Sequence, residues 1–164
     1  MPPRPNSPPP CASASVEHRQ RVRIFLDANV LFSAAQSDGA VRMLLRNLHV
    51  DGYVLVADAY VATEAIRNIA AKSGAEAMDY LKALLSRIEV SSAHPAISSN
   101  SLAEWLPDKD RPVLLAAMSL RCDALVTGDR THFGVGYGRS FGGVTIYSPA
   151  QLAQALFANK GVAP

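Results

Sequence analysis

Asp27 interrupts the otherwise apolar run RIFLDANVLFSA at 23–34. A carboxylate where the chain enters a core is costly unless something neutralises it. Three more acids sit at comparable places. Asp129 lies just past DALVTG, Asp110 stands in PDKDRP before Pro112, and Glu64 lies between Val61 and Ala65. Two carboxylates about 4 Å apart repel by roughly 4 kcal/mol at an effective dielectric near 20. Four that converge cannot all stay ionised without a cation. Hard oxygen ligands in this number suit one or two Mg²⁺ or Mn²⁺ ions. Such ions activate water and stabilise the departing oxygen in phosphodiester hydrolysis.

Each acid also has a plainer reading. Asp110 and Asp129, taken singly, read as a cap or turn residue before a helix or after a strand. Glu64 alone reads as an exposed helix residue paired with Arg67 or Asn68. Asp27 is hardest to place this way, because apolar residues flank it on both sides. Asp38, Asp51, Asp58 and Asp108 suit caps, turns and solvent, although Asp108 is only two residues from Asp110.

The elements that must position these acids alternate. VRIFL (22–26) reads as a buried strand, and NVLFSAAQ as the start of a helical region. SDG breaks it, and Val41, Leu44, Leu45 and Leu48 mark the next helix face. DGYVLVA (51–57) is a turn and strand. Asp58 then caps a helix with Val61, Ala65 and Ile69 on its apolar face, which places Glu64 on the buried side. Gly74 ends that helix. Another helix follows, then a short strand at 87–90, a Ser-rich loop at 91–101 and a helical turn at 102–106. Pro112 suits the first turn of a helix. DALVTG (123–128) and VTIY (144–147) are strands, separated by a glycine-rich flexible loop at 134–143. Ser148 caps a last helix ending near 158. Alternating strands and helices predict an α/β fold with a mostly parallel sheet, whose ligands bind beyond the strands' carboxyl ends. The four acids can converge there.

The chain of 164 residues has room for one domain. A net charge of +2 permits an anionic partner without demanding one. Residues 1–20 hold six of the eleven prolines and read as a disordered tail without a secretory signal; the domain is placed at 21–160. Cys11 and Cys122 show no zinc spacing, which suits a reduced, cytoplasmic setting.

Four blocks in order, FLDANVLFSA, VATEAIRNI, LPDKDRPVLLAA and ALVTGDRTHF, resemble the PIN-domain ribonucleases. The resemblance spans 21–158. It implies an α/β/α sandwich, an acidic pocket for Mg²⁺ or Mn²⁺, and RNA cleavage. Asp27, Glu64, Asp110 and Asp129 match the family's four acids, as catalytic and metal-holding residues. Asn29 matches a position that orients the first acid, with Thr127 and Ser33 in further supporting positions. Arg111 and Arg130 flank the blocks and are placed to hold phosphates, whereas Arg139 reads rather as a solubilising surface residue. His132 in DRTHF is placed to assist a proton transfer, although a lone histidine in a loop is more often structural and no second histidine is spaced to join it. Many small bacterial members are toxins of type II toxin–antitoxin pairs, similar to the VapC group. The resemblance therefore also implies a small antitoxin partner and dimerisation as expectations.

The alternative is a non-catalytic PIN fold that binds RNA or protein. Aspartyl-phosphate chemistry fits less well, because it wants a second Asp where this chain has Asn29. A receiver-like domain wants paired acids at the first strand and a lysine after a late one. The segment GVGYGRSFGG precedes a strand rather than a helix, so it is not a dinucleotide loop.

Overall fold

A computed structural model describes residues 21–92 and 100–158. The expectations for the tail at 1–20, for Cys11, and for positions 93–99 of the Ser-rich loop lie outside the described residues. RIFL forms β1 (Arg23–Leu26), followed by α1 (Ala28–Gln36), α2 (Ala40–Val50) and β2 (Val54–Asp58). Then come α3 (Ala59–Lys72), α4 (Ala75–Arg87) and β3 (Glu89–Ser91). After a 3-10 turn at Ser101–Ala103 the chain forms α5 (Arg111–Ser119), β4 (Ala124–Val126) and α6 (Arg130–Phe133). A second 3-10 turn (Gly134–Gly136), β5 (Ser140–Phe141), β6 (Val144–Tyr147) and α7 (Pro149–Ala158) complete it.

The six strands form one sheet in the order β3-β2-β1-β4-β6-β5, parallel except for β5 against β6. Parallel strands need covering on both faces. The three residues of β4 and the last three of β1 are accordingly all buried. The strand order carries the chain outward from β1 to β2 and β3, then back across to β4 and β6, and connections between parallel strands are right-handed as a rule. This reversal puts α1–α4 on one face, where α1 packs against α2, α3 and α4, and α5 on the other, against β4. The result is an α/β/α layering. Among the described residues no helix is long and apolar enough to cross a membrane.

The reversal falls between the neighbours β1 and β4, which is where α/β sheets open a crevice beyond their carboxyl ends. Leu26 pairs in register with Val126, so Asp27 and Thr127 leave the sheet side by side.

The glycine-rich segment is more ordered than its composition suggests. It folds into the 3-10 turn and the β5–β6 hairpin, and the Tyr137 hydroxyl donates to the Thr127 carbonyl at 2.8 Å. Trp105 holds it in place, stacked on Phe141 at 4.9 Å and edge-on to Phe133 at 6.2 Å. A methyl group at Gly136 would lie 2.6 Å from Trp105 Cη2 and 3.3 Å from Ile146 Cδ1. Trp105 has an aromatic neighbour on each side, so it has little room to retreat. Gly136→Ala is therefore expected to destabilise the fold by about 1–3 kcal/mol. A thermal melt followed through this lone tryptophan would show it; an unchanged midpoint would mean the contact is soft.

Candidate metal centre

Asp27 is the first residue past β1, and 6% of it is exposed. It caps α1, with Oδ1 accepting from the Ala28 amide at 2.8 Å. Its Oδ2 accepts from the Thr127 hydroxyl at 2.8 Å and from the Asn29 amide at 3.1 Å. Asn29 Nδ2 also reaches Thr127 Oγ1 at 3.2 Å, and Asn29 Oδ1 accepts from the Gly128 amide at 2.8 Å. The start of α1 is thus stitched to the strand end that leads to Asp129. Burial pushes the Asp27 carboxyl from an ordinary 3.8 up to about 6, against the Thr127 and Ala28 hydrogen bonds; the charges of Glu64 and Asp110 add to the rise.

Asp129 caps the short helix α6, accepting from the His132 amide at 3.2 Å. Its own amide donates to Thr127 Oγ1 at 3.2 Å. Its Oδ2 accepts from His132 Nδ1 at 2.8 Å. Asp110 occupies the cap position of α5 yet makes no side-chain cap bond. Its Oδ2 lies 3.1 Å from the same His132 Nδ1 but accepts no hydrogen bond, although the atom is buried. His132 Nδ1 lies nearer to Asp129, and one ring nitrogen can bring at most one hydrogen to the two carboxylates. Burial raises the Asp110 pKa; His132 and Lys109 oppose the shift and Asp129 adds to it. Ligand atoms of Asp110, Asp129 and His132 all lie within 4.8 Å of one another.

Glu64 departs from expectation. It is exposed, because the buried stripe of α3 is Val61, Ala62, Ala65 and Ile69. It lines a shallow cleft of about 330 Å³ with Ala59, Tyr60, Thr63 and Arg67. Among the described residues it forms no ion pair with Arg67. Its charge is nevertheless felt at Asp27 and at Tyr60. The Tyr60 hydroxyl donates to the Lys109 carbonyl at 3.3 Å, tying α3 to the loop that carries Asp110.

Ser33 is exposed on the wall of a neighbouring cleft of about 370 Å³, together with Asn29, Gly128 and Asp129. Asp108 is exposed and pairs with Arg111 at 2.6 Å. Arg111 also donates to the carbonyls of Leu106 (2.9 Å) and Glu104 (3.2 Å), so its guanidinium braces its own loop. Arg130, the first residue of α6, is exposed. The residue that sequence reasoning undervalued is His132. The signal was its i, i+3 spacing from Asp129, readable only once DRTHF is known to be helical.

A buried carboxylate oxygen without a donor, facing a second carboxylate and an imidazole, fits a divalent cation. The parallel sheet, its reversal between β1 and β4, and acids at the adjoining strand ends define a VapC-like PIN-domain fold. Solved structures carry that likeness. VapBC2 from Rickettsia felis, bound to a DNA fragment from its promoter, superposes with a TM-score of 0.57 at 16% identity, over 77% of this chain and 98% of that one. VapC20 from Mycobacterium tuberculosis, a toxin that cleaves the sarcin–ricin loop, gives 0.50 at 13% identity, over 72% and 98%. No protein-family model matches the chain, and no curated protein matches it in sequence. At these identities the likeness is one of fold.

Proposed function

We propose that this protein is a divalent-metal-dependent endoribonuclease of the toxin kind, working in the cytoplasm against RNA. The observation that carries the reading is the buried, donor-less Oδ2 of Asp110 facing Asp129 and His132. Asp110 and Asp129 hold the ion, with Asp27 and Glu64 bordering them on the α1 and α3 sides. Bound there, Mg²⁺ or Mn²⁺ supplies Lewis-acid stabilisation and lowers the pKa of water for phosphodiester hydrolysis.

The chain's own groups do the positioning. Thr127 and Asn29 fix the Asp27 carboxylate and tie it to the Asp129 segment. Arg130 at the rim holds a phosphate by charge-assisted hydrogen bonds. Arg111 keeps the Asp110 loop in place through the Glu104 and Leu106 carbonyls. Ser33 lines the cleft beside the acids, where a nucleotide can rest. The VapBC2 assembly motivates a VapB-like antitoxin as the protein partner, and the family resemblance alone suggests a homodimer.

The test combines thermal melts in EDTA, Mg²⁺ and Mn²⁺ with cleavage of a panel of structured RNAs. At an ion concentration 100 times its Kd, the stabilisation is about 2.7 kcal/mol, a rise of roughly 5–10 °C for a domain of this size. RNA is cut only when the ion is present. No rise and no cutting would sink the reading, whereas a rise without cutting on any RNA would favour a non-catalytic binding module.

A further inference from the structure

His132 stands where a ligand would stand, although the family pattern of four acids does not include it. The local structure fixes its position. Phe133, next in the chain, is fully buried against the edge of Trp105. Asp129 caps the same helix through the His132 amide. Held at both ends, the imidazole projects Nδ1 between two carboxylates, 2.8 Å from Asp129 Oδ2 and 3.1 Å from Asp110 Oδ2.

Resting on the metal-dependent reading above, we infer that His132 is a direct nitrogen ligand to the divalent ion and biases the site towards Mn²⁺ over Mg²⁺. One proton moves when the ion enters. A neutral imidazole in the Nε2–H tautomer presents its Nδ1 lone pair, and any second proton leaves to solvent. The ion then meets two carboxylate oxygens and one nitrogen, all from atoms already within 4.8 Å of one another. Mg²⁺ prefers oxygen and gives up its waters reluctantly, so it gains little from the nitrogen. Affinity for nitrogen-containing sites rises along the first-row series, so Mn²⁺ and its successors gain more.

The experiment titrates the full-length wild type, His132→Asn and His132→Ala with Mn²⁺ followed by electron paramagnetic resonance, with Mg²⁺ as competitor. Asparagine keeps an N–H donor toward Asp129 while removing the imidazole. The ratio of Mg²⁺ to Mn²⁺ dissociation constants is expected to fall about tenfold in both variants, mainly through weaker Mn²⁺ binding. Spin-echo spectra of the Mn²⁺ complex are expected to show ¹⁴N coupling in the wild type and none in His132→Asn. Mn²⁺ bound to the wild type without nitrogen coupling would overturn the inference. So would a variant that weakens both ions alike, since His132 would then only orient Asp129. A wild type that binds neither ion would instead bring down the metal-dependent reading itself.

Discussion

Asp110→Asn is expected to lower kcat/KM for RNA cleavage by roughly 10³-fold, or about 4 kcal/mol of transition-state stabilisation. The expectation comes from what Asp110 does not do. It sits at a helix cap position without capping, and its buried Oδ2 has no hydrogen-bond donor. Buried carboxylate oxygens usually find a donor, and the proposed role for this one is to bind the cation. The amide keeps the shape of the side chain but puts a neutral atom pair where the charge was. The same substitution should not harm the metal-free fold. Burial is the chief cause of the raised Asp110 pKa, with Asp129 adding to it, and removing the ionised form relieves both. Melts in EDTA should therefore place Asp110→Asn level with the wild type or above it, while Mn²⁺ reverses the order. Cleavage within a fewfold of wild type would show that Asp110 is outside the chemistry.

How much of this was legible in the sequence depends on whether a signal is local. Asp27 was legible because a charge inside RIFLDANVLFSA has no local excuse, and the strand before it is apolar throughout. The parallel architecture followed from alternation alone. Glu64 lies between Val61 and Ala65 in sequence, but adjacency along the chain is not a shared helix face. At about 100° per residue, Glu64 lies roughly 115° from the centre of the stripe formed by Val61, Ala62, Ala65 and Ile69, towards solvent. The glycine-rich segment looked loose because what orders it, Trp105, comes from a loop some thirty residues earlier. Arg111 looked free for the same kind of reason. Its partners are backbone carbonyls, and no residue type announces these. His132 has no second histidine spaced to join it in the sequence, and its partners are two aspartates, one of which only the fold brings near.

Asp27→Asn tests the electrostatic origin of the site most directly, because its effect should change sign with pH. The folded Asp27 titrates near 6, above its ordinary 3.8, mainly because it is buried. A raised carboxyl pKa means that the folded state holds the proton more tightly than the unfolded chain. The stability this gives is fully present below pH 4, is lost as pH rises through 6, and is absent above it. Its size is about 3 kcal/mol for a shift of about two units. Asparagine is neutral throughout and escapes that loss. Against it stand the donors that Asp27 accepts from Ala28, Thr127 and Asn29, since one amide oxygen cannot serve all three. Thr127 can turn its hydroxyl to accept from the new amide, but Asn29 cannot, so the cost is about 1–2 kcal/mol. In EDTA the variant should melt roughly 3–6 °C above wild type at pH 7.5 and below it at pH 4, with the curves crossing in between. Adding Mn²⁺ at pH 7.5 should narrow the gap, because the Asp27 charge beside the two ligand aspartates makes the wild type bind the ion more tightly than the variant. A variant destabilised equally at every pH would make Asp27 the cap of α1 and nothing more.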